Sequence, residues 1–211
     1  MTIKLSILVP TVPNRIDNYY PIIMKDLINQ IKPYSDIELI AFFDNKKRSI
    51  GKKRDEMLNL ANGEYLVYID DDDRLSPDYI KEIMTCLYNN PTTDCVVFDC
   101  ICTVNSGPGK LCKYGVEFEY GDILGGREWR GKPAHTMVYK SSIAKKHRFL
   151  NVNNGEDIEW VRRACIDITV QTRIDKVLYY YDAEYTSTSE TQTTLTDDTI
   201  RANLESRFNL D

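Results

Sequence analysis

Two apolar patterns alternate along the first part of the chain. Ile3 to Val9 is a nearly continuous apolar run closed by Pro10 and Pro13, which predicts a buried strand. From Asp17 the apolar residues change to helical spacing, at Tyr20, Ile23, Met24, Leu27, Ile28 and Ile31, and the pattern stops before Pro33. Ile37 to Phe43 predicts a second strand ending at Asp44. A helix follows the basic stretch Lys46 to Arg54, runs to about Ala61 and is closed by Asn62-Gly63. Leu66 to Ile69 is the third strand. Ser76-Pro77-Asp78 then supplies an N-cap and a proline at the first helical position for a helix to about Leu87. Alternating strands and helices imply a parallel sheet covered on both faces. Ligands of such sheets sit beyond the carboxyl ends of the strands, where Asp44 and Asp70 to Asp73 stand.

The second part reads differently. Cys95 to Val104 is a strand, Asn105 to Gly109 a turn, and Leu111 to Tyr120 another strand. Gly121 to Pro133, with several glycines, two arginines and Trp129, reads as a loop; His135 to Lys140 reads as a short strand. Asn153 to Asp157 leads into a helix through about Cys165, with Ile158, Val161 and Cys165 as its apolar stripe. Strands follow near Ile168 to Arg173 and Lys176 to Asp182. Tyr185 to Thr196 is a Ser/Thr-rich loop, and Thr196-Asp197-Asp198 would cap a closing helix to Phe208. With no repeat and no linker, the 211 residues read as one domain. Its expected parts are a first half (1–104), a second half (105–185) and a C-terminal loop and helix (186–211).

Composition adds boundaries. The chain is 42% hydrophobic and 28% charged, as globular proteins are, and its net charge of −5 provides no global attraction to nucleic acid or anionic membrane. The six cysteines lack paired CxxC spacing, and Cys95, Cys100 and Cys102 fall in or near an apolar strand, which favours reduced thiols over zinc. The apolar run in MTIKLSILVP is too short for a signal peptide or a membrane span, so the expected location is cytoplasmic, in the host cytoplasm if the protein is viral.

The chemistry concentrates at Asp70 to Asp73, directly after Glu64-Tyr-Leu-Val-Tyr-Ile69. Adjacent carboxylates raise one another's pKa and repel, and a hard divalent cation would relieve them. A solvated acidic turn is the plain alternative. A second acidic pair, Glu156-Asp157, stands at a predicted helix start, where the dipole favours ionised carboxylates whether or not they react.

Taken in order, SILVPTVPNR, Gly51 through Gly63-Glu64-Tyr65, YIDDDD, Asn154-Gly-Glu-Asp157 and YYYD resemble the family-2 glycosyltransferases over roughly residues 3 to 185. The resemblance implies an α/β fold of the GT-A, nucleotide-diphospho-sugar transferase type, with a mostly parallel central sheet flanked by helices. It further implies an inverting transfer from a nucleotide sugar, assisted by Mn²⁺ or Mg²⁺. By the family pattern Asp72 is the direct metal ligand, Asp70 faces ribose or metal, and Asp73 touches the sugar or the metal through water; Asp71 groups with the donor contacts. Asp157 would be the base that takes the acceptor proton, and Glu156 would orient it or bind the acceptor. Pro10 and Thr11 would flank the nucleobase with Arg15 nearby. Asp44 would accept from a ring N–H, which favours uracil and hence a UDP-sugar. Arg54 suits the family's arginine, whereas Asp55 departs from its usual asparagine.

Some features stay open. The run Lys46-Lys47-Arg48-Ser-Ile-Gly-Lys52-Lys53-Arg54 could neutralise the donor pyrophosphate, with Lys52 and Arg54 as candidate contacts, could meet a polyanion, or could be a solvated face. Lys145-Lys146-His147-Arg148 is a second basic cluster. His135 reads as a structural histidine or as a metal or acceptor-site group. Trp129 could stack on a sugar or pin its loop, and Trp160 reads as packing. The expected acceptor is a saccharide or glycan hydroxyl, with a hydroxylated base of viral DNA as the alternative. From other classes, a nucleotidyltransferase would need a Gly-rich phosphate loop that VPTVPNR lacks, and a non-catalytic nucleotide- or sugar-binding module would not need Asp157.

Overall fold

A computed structural model of the chain describes residues 2–183 apart from 106, 120, 124, 125 and 127. The Ser/Thr-rich segment and closing helix expected after Tyr185 lie outside these residues.

The strands are β1 (Leu5–Thr11), β2 (Ile37–Phe43), β3 (Tyr65–Tyr68), β4 (Arg74–Leu75), β5 (Cys95–Val104), β6 (Lys110–Tyr114), β7 (Gly121–Ile123), β8 (Glu128–Gly131), β9 (Val138–Lys140) and β10 (Gln171–Ala183). The α-helices are α1 (Tyr20–Ile31), α2 (Ile50–Leu60), α3 (Tyr79–Asn89), α4 (Ser141–Ala144) and α5 (Glu156–Ala164). All described strands join one sheet in the order β2-β1-β3-β9-β5-β6-β8-β7, with β10 lying along β5 and β4 along β10. β2, β1, β3, β5 and β10 run in the same direction, and β9 is inserted antiparallel between β3 and β5. The result is a mixed α/β fold around a mostly parallel central sheet flanked by helices.

The centre of the sheet is buried on both faces. Every residue of β1 and β3 is buried, which is why these segments read as unbroken apolar runs. α1 seats Ile23 and Leu27, and α3 seats Ile80, Ile83, Met84 and Leu87. A further aromatic cluster lies under α5: Trp160 stacks on Phe149 with ring centroids 4.7 Å apart and meets Tyr139 of β9 edge-on at 5.0 Å. Trp160 is therefore a packing residue, as its position on the helix suggested.

Several elements differ from the sequence expectation. Residues expected to form a loop, Gly121 to Pro133, contain β7 and β8, because β8 finds a parallel partner in β6. β6 itself ends at Tyr114 rather than Tyr120. Trp129 sits in β8, buried, with Tyr114 edge-on at 5.7 Å, so it pins this region to the core. The two expected C-terminal strands form one, β10, with register shifts between Ile174 and Tyr179. α3 starts at Tyr79 rather than Pro77. α2 starts at Ile50, capped by Ser49 Oγ accepting from Lys52 N at 3.0 Å, so half of the basic run is helical. Among the described residues, no helix is long and apolar enough to cross a membrane.

Candidate active site

The site forms at the carboxyl ends of β1, β2 and β3, and α2 supplies its central charges. α2 buries Gly51, Lys53, Arg54 and Asp55 along with Met57 and Leu58, so a face with core spacing carries charge instead of oil. Buried charges need partners, since desolvation disfavours them by several kcal/mol otherwise. Each has one. Lys53 lies 2.8 Å from Asp44 and donates to the Thr11 carbonyl at 3.0 Å, tying the ends of β1 and β2 together. Arg54 reaches Asp70 at 2.8 Å through one nitrogen and Glu156 through the other. Asp55 pairs with Arg148 after α4.

The four consecutive aspartates divide among several partners, with Arg15 shared by Asp71 and Asp72. Asp70 faces Arg54 and, at 3.1 Å, His135 Nε2; burial would raise its carboxyl, but these neighbours hold it well below the usual range. Asp71 accepts from Thr11 Oγ1 at 2.5 Å and from Arg15 at 2.7 Å; burial nonetheless leaves it somewhat above its ordinary value. Asp72 lies 2.8 Å from Arg15, and its carboxyl is pushed up to about 6 by burial, with Asp70 and Asp71 adding repulsion that Arg15 only partly offsets. Asp73 accepts from the Tyr179 hydroxyl at 2.6 Å, and that hydroxyl accepts from the Asp70 amide at 3.2 Å. Burial, then the charges of Asp72 and Asp70, push Asp73 well above the carboxylate range, which favours its neutral form.

The acid pair enters from the other side. Gly155, at φ +77°, occupies the N-cap of α5 in the left-handed region, and Glu156, Asp157 and Glu159 fill the first turn. Glu156 is buried against Arg54, and burial raises its carboxyl above normal in spite of that contact. Asp157 Oδ2 lies 3.4 Å from His135 Nδ1. α2 can approach the segment before α5 because residue 51 is glycine: a Cβ there would lie 1.8 Å from the Leu150 carbonyl oxygen. The Gly51 amide instead donates to Val152 O at 3.1 Å.

Most of the residues singled out in the sequence therefore meet. They form two groups of contacts that adjoin along the chain at Asp70-Asp71: Thr11, Arg15, Asp71 and Asp72, joined by Asp44 through Lys53, and Arg54, Asp70, His135, Glu156 and Asp157. Pro10 lies buried in β1 opposite Phe42. Lys52 does not join: it is on the outer face of α2, 3.7 Å from Glu56. Lys53 is the functional position that the basic run concealed; its spacing of four from the core residue Met57 was the available signal. Asp55, at the family's asparagine position, is directed to Arg148 and away from the acidic clusters. The second basic cluster is internally committed, with Lys145 donating to Ala61 O at 2.5 Å, Lys146 and His147 on Asp167, and Arg148 on Asp55.

As a metal centre the quartet is no protein-made cage. Among the described residues, no three or more His, Cys, Asp or Glu side chains converge to hold an ion. The oxygen donors of the quartet do fit a hard cation held by one carboxylate together with phosphate oxygens.

The α/β fold that carries these acidic clusters at its strand ends is shared with known proteins. The family model for glycosyl transferase family 2 matches residues 16–148. The chain belongs to that family, and it has the GT-A fold. S. aureus TarS has the same fold: its crystal structure aligns with TM-score 0.62 at 17% identity, covering 86% of this chain and 37% of that one. TarS 1-349 in complex with UDP-GlcNAc aligns at 0.65 and 15% identity, covering 96% and 67%, and its UDP complex at 0.61 and 15%, covering 86% and 61%. This chain thus spans between 37% and 67% of those TarS chains. No curated protein matches it.

Proposed function

We propose that this protein transfers a sugar from a UDP-linked donor to an acceptor hydroxyl with inversion, and that Asp157 is the base. The observation that carries this reading is the Arg54 bridge. One guanidinium spans Asp70 at the end of β3 and Glu156 at the start of α5, so the donor side and the acceptor side are held together by a single rigid fork. Burial opposes the Arg54 charge, but Asp70, Glu156 and Asp157 outweigh it and keep it firmly protonated.

The donor base would lie over the ends of β1 and β2, with Asp44 as the acceptor for a ring N–H. Lys53 orients that carboxylate. Arg15, already across Asp71 and Asp72, is suited to the donor phosphates. Asp72 would hold Mn²⁺ or Mg²⁺ together with those phosphates, and when bound such an ion offsets charge on the diphosphate leaving group as a Lewis acid. Asp157 takes the proton from the attacking hydroxyl, and α5's N-terminus favours its ionised form. UDP complexes of TarS, a protein of the same fold, support the choice of nucleotide. For the acceptor we favour a saccharide hydroxyl over a modified DNA base, because the net charge of −5 gives no general attraction to a polyanion and each member of the 145–148 cluster has a partner within the chain. The six free cysteines favour a reducing, cytoplasmic setting.

A thermal-shift panel of nucleoside diphosphates, with and without Mn²⁺, tests the reading. UDP should raise Tm in a Mn²⁺-dependent way while CDP, ADP and GDP do so weakly or not at all. No response to any nucleotide would overturn it.

A further inference from the structure

We propose that His135 is a positioning residue that fixes the Asp157 carboxylate through an Nδ1–H, and is not a metal ligand. The inference rests on the reading of Asp157 as the base.

The ring stands between the two acidic clusters, largely buried. Nε2 lies 3.0 Å from an Arg54 nitrogen and 3.1 Å from Asp70 Oδ2, while Nδ1 lies 3.4 Å from Asp157 Oδ2. A guanidinium nitrogen has only N–H groups to offer. In the neutral ring, Nε2 therefore accepts from Arg54 and the proton sits on Nδ1, facing Asp157. In the doubly protonated ring, Nε2–H faces Asp70 and Nδ1–H still faces Asp157. The remaining tautomer would give Nε2–H to Asp70, but it would set that N–H beside the Arg54 guanidinium and a bare Nδ1 against the Asp157 carboxylate, two opposed contacts against one. Both favourable states give Asp157 the same donor.

The backbone fixes the ring on the same target. His135 lies in the turn before β9, and the Tyr139 hydroxyl donates to the carbonyls of Pro133 and Ala134 at 3.1 Å. The same Tyr139 ring packs edge-on against Trp160 of α5, the helix that begins with Glu156-Asp157. One aromatic residue thereby sets the distance between the histidine's turn and the acid pair. A dication on Nε2, by contrast, would sit within reach of the Arg54 charge and be repelled by it. Outer partners that orient a reacting group matter because small misplacements there cost rate steeply, on the order of 100-fold for about 1 Å.

The chain has only two histidines, so ¹⁵N-histidine labelling gives two ring systems, and H135N identifies His135 by loss of its signals. His135 should show a protonated Nδ1, and its shifts should move in D157A. A bare Nδ1, or shifts indifferent to D157A, would overturn the proposal. Turnover provides the second measurement, read as UDP release from UDP-GlcNAc as probe donor with water as acceptor. H135Q places an amide near Nε2 but nothing at Nδ1, and kcat should fall about 10- to 100-fold with KM for the donor unchanged. H135N keeps a donor near the Nδ1 position and should recover most of that loss. Equal losses in the two variants, or a loss carried by KM or by the Mn²⁺ requirement, would overturn the positioning role. The tautomer measurement needs neither donor nor turnover. A wild-type protein indifferent to UDP would thus strike the function proposed above, while the spectrum alone decides the state of the ring.

Discussion

Asp70 to Asp73 and Glu156-Asp157 both set like charges side by side, yet they are relieved in different ways. The quartet follows a strand, where no helix dipole helps, and its carboxyls meet partners from several elements: α2 for Asp70, the end of β1 for Asp71, β10 for Asp73, and Arg15 shared by Asp71 and Asp72. The pair begins a helix, shares its first turn with Glu159, and draws on the dipole as well as on Arg54 and His135. Separate partners allow the quartet's members to differ in ionisation, from a strongly acidic Asp70 to a neutral-leaning Asp73. The pair is a unit, and what happens to one member reaches the other. Arg54 is where the two arrangements touch.

The comparison is broken most severely at the acid pair. Asp157→Asn removes the proposed base without changing shape, and transfer should fall about 10²- to 10⁴-fold. The Tm shift caused by UDP and Mn²⁺ should survive, because the proposed donor contacts lie with the quartet. Loss of both activity and nucleotide-induced stabilisation would mean that the clusters do not divide the work as described.

Removing Arg54 strikes both clusters at once. Arg54→Met leaves Asp70 and Glu156 buried without their cation, and breaking such a buried pair costs about 3–5 kcal/mol. Arg54→Lys restores charge but not the fork, so it should recover only part of the deficit in urea unfolding. Equal stability of the Lys variant and wild type would show that the bridge works as a point charge. Gly51→Ala tests the spacing between the same elements, since its Cβ would meet the Leu150 carbonyl. Overpacking there should cost roughly 1–3 kcal/mol, again by urea unfolding. An unchanged midpoint would show that α2 and the segment before α5 have slack.

Much of the fold and part of the site are legible in the sequence, and what stays hidden has a common cause. β2 and β5 lie where the apolar runs put them, because their signal is local. β8 is hidden, since Glu128 and Arg130 break the apolar pattern and its strand character comes from pairing with distant β6. The site divides along the same line. Asp70 to Asp73 and Glu156-Asp157 stand out as clusters at element ends, but which carboxyl meets which cation depends on contacts far apart in sequence. Lys53 and Arg54 look like members of one solvated basic run with Lys52, yet the helix turn buries two and exposes the third.

The gentlest test uses a carboxylate held mainly by neutral donors, away from any helix start and with Lys140 as distant as 3.7 Å. Asp94, just before β5, accepts from Thr169 Oγ1 at 2.8 Å and from the amides of Thr169 and Val170 at 3.0 Å, and so holds the entry to β10. Burial opposes its charge, but these hydrogen bonds outweigh it and place its pKa below the ordinary value. A group with a depressed folded-state pKa stabilises above its unfolded pKa and loses that contribution as pH falls through the folded value. Asp94→Asn should therefore cost about 1–2 kcal/mol near neutral pH. The gap to wild type should close below about pH 4, as the wild-type carboxyl protonates. Urea unfolding at the two pH values reads this directly. A gap that persists in acid would mean that Asp94 holds the strand by geometry alone, and that donors arranged by the fold, unlike cations, relieve a carboxyl without regard to its charge.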